Sequence, residues 1–257
     1  MNEELPIQPH QIQRDPWQSL NAYTQARIAL GRTGISVPLK ETLQFKLAHA
    51  HARDAVYSVL NTNKLITALQ TIDQSPILLL SSVTNREQYL QRPDLGRRLN
   101  EASVKVLSEI PKQQTSVAII VGDGLSADAI QKHALPVLQL LIPKFINAHI
   151  SFAPICIVEQ SRVAIADEIA SLLNAELSVM LIGERPGLTS ADSMGAYITY
   201  SPKIGLTDEN RNCISNIRLE GLDYITAAEK IFYLISESLR LKLSGVTLKD
   251  DSRLLNL

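Results

Sequence analysis

A chain of 257 residues, 45% hydrophobic and 20% charged, is long enough for one large domain, or a small one plus a medium one, with a real core. Its formal net charge of −1 leaves no basic excess for phosphate backbones, so nucleic acid is a poor partner. The polar opening MNEELPIQPHQIQRDPW is no signal peptide, no run approaches the roughly 20 apolar residues of a membrane span, and two cysteines make no disulfide framework, which together predict a cytoplasmic protein with no membrane contact.

The predicted elements begin with a helix over Trp17–Leu30, closed by Gly31 as a C-cap. GRTGISVP, with two glycines and a proline, is a turn. From Leu39, LKETLQFKLAHAHARDAVYSVL reads as one long helix. Leu43, Leu47, Ala50 and Asp54 share one side and Phe45, Ala48, Ala52 and Val56 another, which predicts burial over a broad face. Beyond residue 72 the character changes. Ile77–Val83, Val117–Val121, Ile155–Val158, Leu177–Ile182 and Tyr197–Tyr200 are short apolar runs, with helix-like stretches at Ala127–Ile142 and Val163–Leu173 between them. Nearly continuous apolar strands alternating with helices predict a mostly parallel sheet covered on both faces. A last amphipathic helix runs over about Tyr224–Leu243, with Ala228, Phe232, Ile235 and Leu239 facing the sheet. The expected architecture is α/β: an N-terminal helical domain over 1–72, then a Rossmann-like, mostly parallel open sheet with helices on both faces over 73–257, with no internal repeat and no low-complexity tract.

In such a sheet, ligands collect at the carboxyl ends of the strands. Four runs end there in polar loops: TNREQYLQRPDLGRRL after the first, GDGLSADA after the second, EQSRV after the third and GERPGL after the fourth. An apolar strand that stops at Gly183 and hands over to the opposite charges of Glu184 and Arg185 suits a cleft at that edge; the plainer alternative is a solvated surface loop. GDGLSA fits the relaxed dinucleotide fingerprint G-x-G-x-x-A, but the acidic residue expected about 20 positions on is missing, and Glu159 lies too far along. The plainer reading is a tight turn with Asp123 solvated or capping the next helix. His49 and His51 stand about 200° apart around a helix and cannot share one metal. Cys156 sits in an apolar strand as an inert packed thiol. Cys213, in RNCISNIR, has polar neighbours but no His or Lys to mark a nucleophile. No Ser–His–Asp set and no metal-ligand spacing stands out.

Six segments occur in order: ARIALGRTG (26–34), AHAHARDAV (48–56), RPDLGRRL (92–99), VGDGLSADA (121–129), GERPGL (183–188) and CISNIR (213–218). Together they resemble the small (light) subunit of adenosylcobalamin-dependent ethanolamine ammonia-lyase, from about Asp15 to about Gly245. The resemblance implies a carbon–nitrogen lyase that converts ethanolamine to acetaldehyde and ammonia by a radical mechanism in ethanolamine catabolism. It implies a hetero-oligomer in which a separate large subunit, a (β/α)₈ barrel, carries the substrate pocket. The small subunit packs over the barrel mouth and helps hold the adenosylcobalamin. It further implies cofactor contacts at Val163 in QSRVAIADE, Glu184 in GERPG and Cys213 in NCISN, and neither catalytic residues nor metal ligands from this chain. Corrin carries a fringe of neutral amides, which a carboxylate such as Glu184 and nearby backbone groups suit. The chain lacks D-x-H-x-x-G, in accord with a family that binds cobalamin with its own base still on cobalt. Some members carry a longer N-terminal extension tied to packaging in a bacterial microcompartment. Two other readings stand beside this one: a nucleotide-dependent oxidoreductase using the GDGLSA loop, and a purely structural subunit without cofactor contact.

Overall fold

The computed structural model describes residues 12–72 and 74–252. They fall into two compact units. One holds the described residues up to Asp54 together with Gly187–Ser190; the other holds those from Ala55 to Pro186 and from Ala191 onward.

In the first unit the helix expected over Trp17–Leu30 does not form. Only a 3₁₀ turn, Gln18–Ala22, appears, and none of its residues is buried. The Thr24 hydroxyl takes the N–H of Ala26, a local bond that competes with helix. Ala29 and Gly31 then adopt left-handed φ values of 51° and 75°. They turn the chain so that Arg32 and Gln13 exchange backbone hydrogen bonds of 2.8 and 2.9 Å. The long helix does form, as α1 (Leu39–Tyr57), but Ala55 is its one buried residue. Leu39, Leu43, Phe45 and Leu47 are exposed, which overturns the expected broad burial. Its apolar side chains spread around the cylinder with polar ones between them and build no single stripe.

The second unit opens with α2 (Thr62–Gln70), capped by the Asn61 side chain, whose Leu65 and Leu69 enter the core. There follow β1 (Ile77–Leu80), α3 (Arg86–Gln91), α4 (Glu101–Ser108), β2 (Thr115–Gly122), α5 (Ala127–Asn147), β3 (Cys156–Glu159), α6 (Ile165–Leu172), β4 (Ala175–Gly183), β5 (Met194–Tyr200), β6 (Arg211–Ile217) and α7 (Tyr224–Leu241). The result is a mixed α/β unit around one six-stranded sheet of order β1-β3-β2-β4-β5-β6. The first four strands in that order are parallel; β5 and β6 add antiparallel at the β4 side. The mostly parallel sheet is thus as expected. β6 is a strand the apolar pattern did not reveal.

Strand alternation assigns the faces. Val117, Ile119 and Val121 of β2 pack with α5 and α7, whereas Ala118 and Ile120 pack with the layer of Leu107 from α4 and Ile165 and Ile169 from α6. Each fully buried aliphatic side chain contributes on the order of 1.5–3 kcal/mol, so β2, buried on both faces over most of its length, is the spine of the unit. The crossover from β2 to β3 runs under α5. Those from β1 to β2 and from β3 to β4 run in the opposite direction under α4 and α6 on the other face. Reversing direction together with face keeps the crossovers of one hand. It also leaves β2 and β4 as neighbours whose connections depart to opposite sides, the switch point at which open sheets bind ligands. Among the described residues, no helix is long and apolar enough to cross a membrane.

Candidate functional site

The register aligns the carboxyl ends of the parallel strands: Leu80 lies beside Glu159, and Gly122 beside both Val158 and Ile182. Four polar loops therefore leave one edge of the sheet. Their packing decides which are open.

The GDGLSA loop is packed against the end of β4, and its helix end is closed. A Cβ at Gly124 would collide with the Gly183 carbonyl, and one at Gly183 with the Ser126 carbonyl. The N–H of Leu125 donates to Gly183 O at 2.9 Å, tying the loop to the end of β4. Ser126, not Asp123, caps α5 by accepting the Ala129 N–H. Ser126, Ala127 and Ala129 are all buried, so protein fills the place a pyrophosphate would take in a dinucleotide site. Asp123 is neither solvated nor a cap. It is buried, accepts the N–H groups of Gln160 and Ser161 at 2.9 Å each, and lies 3.6 Å from Arg86 Nη1. Burial pushes its carboxyl above the ordinary value, while the two amides and Arg86 pull the other way. Its work is to lock the EQSRV loop onto the end of β2.

That loop presents Arg162 and Val163. The Arg162 N–H donates to Gly96 O at 2.7 Å, and its guanidinium stacks over the ring of Tyr89 at 4.1 Å. Arg162 Nη2 donates to Tyr89 O at 3.0 Å, while Nε is buried without a partner. A Cβ at Gly96 would come within 2.9 Å of Arg162 Cγ, so glycine is what lets RPDLGRRL and EQSRV meet. Tyr89, fully buried, is held between Arg162 and Arg86 and donates its hydroxyl hydrogen to Ser161 O at 2.9 Å.

Val163 and Glu184 line one cavity of about 440 Å³, together with Tyr89, Gly124, Arg162 and Tyr197. Glu184 is half-buried, and its Oε2 accepts the N–H of Asn216 at 3.1 Å. Among the described residues it forms no ion pair, and the adjacent Arg185 is exposed. Cys213 does not line this cavity. It is exposed and sits directly opposite Tyr197 across β5 and β6, so the Tyr197 ring links the thiol to the cavity wall. Desolvation raises the Cys213 thiol above its ordinary value and, more strongly, the Tyr197 hydroxyl; both stay protonated at neutral pH. Cys156 is wholly buried, its thiol pushed up to about 12 by desolvation, and is inert. His49 and His51 lie exposed on α1, His49 edge-on to Phe45.

A shelf results. The α4 and α6 layer covers β1 to β4 and reaches β5 and β6 where Arg211 and Thr199 are buried against Asp167 of α6. Beyond that pair the face carries half-buried Tyr197, which packs on the border of the layer, and exposed Cys213, with Glu184 above them. The strand β5 that bears Tyr197 is entered through a fixed loop end: His133 Nε2–H donates to Asp192 O and Nδ1 accepts from Tyr224, both at 2.8 Å, and Lys132 pairs with the Asp192 carboxylate. Sequence reasoning missed Tyr89, Arg162 and Tyr197. Arg162 was adjacent to a named position; the two tyrosines gave no signal apart from their place in otherwise apolar or helical runs. Among the described residues no three His, Cys, Asp or Glu side chains gather in a metal-binding group.

Residues 14–249 match the model of the ethanolamine ammonia-lyase light chain. The chain belongs to the ethanolamine ammonia-lyase light-chain family. It is similar to the ethanolamine ammonia-lyase small subunit of Pseudomonas paraeruginosa strain PA7, 50% identical over 252 residues that cover 97% of this chain and 92% of that one. It is likewise similar to the small subunits of Pseudomonas putida strain W619, 51% identical over 93% of this chain and 89% of that one, and of Pseudomonas fluorescens strain Pf0-1, 49% identical over 98% and 91%. As a light chain of ethanolamine ammonia-lyase it is a subunit of a lyase. All four loops described above lie inside the matched span.

Proposed function

We propose that this light chain holds adenosylcobalamin against a large catalytic subunit, in a cytoplasmic complex that converts ethanolamine to acetaldehyde and ammonia, on a Rossmann-like sheet whose switch-point edge faces the cofactor. The observation that carries the reading is the cavity that joins Val163 and Glu184, next to a partly open stretch of sheet face bearing Tyr197 and Cys213. The donor set suits a corrinoid. A broad macrocycle needs an open shelf rather than a closed slot, and its neutral amide fringe needs acceptors and weak donors. Glu184 has Oε1 left to accept an amide N–H beyond its bond to Asn216. The protonated Tyr197 hydroxyl and Cys213 thiol offer donors. Arg162 Nε is a buried donor in want of an acceptor.

When bound, the cofactor supplies a carbon radical that takes a hydrogen atom from the substrate. The residues of this chain do other work: Glu184, Val163 and Cys213 bind and orient, and the Tyr89–Arg162 stack stiffens the wall behind them. Nothing in the cavity pairs a base with a nucleophile, which suits a chain that holds the cofactor while its partner does chemistry. The closed helix end of the GDGLSA loop speaks against the oxidoreductase alternative. Packaging in a bacterial microcompartment belongs to the same proposal.

The test is to purify the chain with and without its large subunit and assay acetaldehyde from ethanolamine with added adenosylcobalamin. Turnover is expected only when both chains and the cofactor are present, with visible corrin absorbance co-eluting with the complex. Turnover by this chain alone, or a complex active without cobalamin, overturns the reading.

A further inference from the structure

Beside the Val163–Glu184 cavity lies a larger one, of about 650 Å³, whose wall it shares at Arg162 and Val163. One side is the RPDLGRRL loop, with Asp94, Arg97 and Arg98; the other is the connection between β5 and β6, with Ile204–Asp208. The charges around this trough do not cancel in place. Asp94 is taken up by Arg92, Glu168 by Arg98, and both Asp167 and Asp208 by Arg211. Among the described residues Arg97 and Arg162 have no carboxylate partner. Arg162 is also the more rigid of the two, fixed by its stack on Tyr89 and its bond to Tyr89 O, and it keeps a buried Nε–H without an acceptor. Two uncompensated guanidinium groups, one preset, in a trough continuous with a neutral-amide site make a receptor for an oxyanion; the fork of an arginine matches phosphate best.

We propose, as an extension of the cofactor reading above, that Arg97 and Arg162 bind the phosphodiester of the cobalamin nucleotide arm, so that the trough takes the anionic arm while the Glu184 cavity takes the corrin amides. Cobalamin carries one fixed anion, that phosphodiester, and cobinamide is the same corrin without it. The two corrinoids therefore separate the halves of the site.

The experiment is a visible-absorbance titration of cyanocobalamin and of dicyanocobinamide into the reassembled complex of this chain with its large subunit. It compares wild type, Arg97→Gln and Arg162→Lys. Arg97 is exposed and unpaired, so its loss leaves the fold alone; Arg162→Lys keeps the charge but loses the fork and the stack. Arg97→Gln is expected to weaken cyanocobalamin binding roughly tenfold or more, the scale of a lost charge-assisted bond, with cobinamide binding unchanged and the difference shrinking as salt is raised; Arg162→Lys, whose guanidinium also walls the Glu184 cavity, is expected to weaken cyanocobalamin more than cobinamide. Equal losses for both corrinoids, or none for either, overturn the assignment. Binding of inorganic phosphate to the complex that cobalamin does not displace also overturns it, because the trough is then a free-phosphate site. If wild type binds neither corrinoid, the cofactor reading itself falls and this one with it. If wild type binds both equally and the variants change nothing, only the phosphodiester assignment falls.

Discussion

Glu184 shows how one side chain is oriented at the edge of a sheet. Gly183 ends β4 with no room for a Cβ against the GDGLSA loop, and Glu184 is the first side chain beyond it. Its N–H bonds Ser193 O at 3.0 Å, which ties the outgoing and returning legs of the loop together. Its Oε2 takes the Asn216 amide of β6, and Gly195 opposite makes space, since a Cβ there would lie 3.0 Å from Oε1. One carboxylate oxygen is thus spent on orientation, and the other is the one the proposed cofactor contact would use. Hydrogen bonds to a charged group contribute about 1.5–3 kcal/mol, and each 1.4 kcal/mol is tenfold in affinity. Glu184→Leu in the assembled complex is expected to raise the cobalamin Kd by about ten- to a hundredfold. Glu184→Gln keeps a carbonyl acceptor and is expected to fall between Leu and wild type. Equilibrium titration followed by corrin absorbance checks both, with assembly confirmed by size. A Kd unchanged in the Leu variant would place Glu184 among ordinary loop carboxylates.

At the scale of elements, β6 is the instructive case. RNCISNI has few apolar residues, and no period-two pattern announces a strand. It pairs all the same, because three positions do the anchoring. Ile214 and Ile217 enter the core on the α7 side. Arg211 reaches across the other face to grip Asp167 of α6 through two contacts of 2.7 Å, with a third to the Thr199 hydroxyl at 3.0 Å. Both ends of that ion pair are 1% exposed. Removing one partner strands a charge in the core, at a cost of about 3–5 kcal/mol, whereas replacing both with apolar groups is often neutral or better. Asp167→Ala is therefore expected to lower stability by about that amount in urea unfolding, and the double variant Asp167→Leu, Arg211→Met to recover most of it. Additive losses in the double variant would show that the two residues act separately. The same comparison marks what the sequence made legible. The runs of β2, β3 and β4, buried on both faces, and the stripe of α7 declare themselves by composition and period, because burial there is decided by apolar residues alone. β6 and the Tyr89–Arg162 stack are decided by single long-range polar contacts between segments 44 to 73 residues apart, and no local pattern carries those. The helix expected at Trp17–Leu30 failed for a related reason: propensity without a buried face does not hold a helix. Glu184 and Val163, which the structure brings to one cavity, were singled out by ordered motifs and not by periodicity.

The whole molecule divides its apolar surface unevenly. Although Leu78 and Leu80 of β1, Ile146, Leu219 and Ile225 are exposed, most large apolar side chains around the sheet are packed away. In the N-terminal unit and along α1 they are not: Trp17, Tyr23, Ile35, Leu39, Leu43 and Leu47 each keep half or more of their surface open, Ile35 all of it. A folded monomer seldom leaves so many large apolar side chains exposed within one short segment, and exposed apolar surface of that extent marks interfaces. The exposure is also not a sign of a poorly made helix, since α1 runs nineteen residues without a break. Surface that is ordered yet uncovered fits a chain whose partner completes it, as the proposed large subunit would. Two consequences separate this from incidental stickiness. The chain alone is expected to self-associate as its concentration rises, seen as a rising weight-average mass in sedimentation equilibrium, and to become monodisperse on binding the large subunit. Leu43→Gln with Leu47→Gln, both 55% exposed, removes no core contact and is expected to leave the melting temperature within about 2 °C of wild type, as surface substitutions do. The same pair is expected to suppress self-association and to slow assembly with the large subunit. A wild-type chain that sediments as a monomer at high concentration, or a double variant that assembles at the wild-type rate, would mean that α1 faces solvent in the complex and that the partner docks elsewhere.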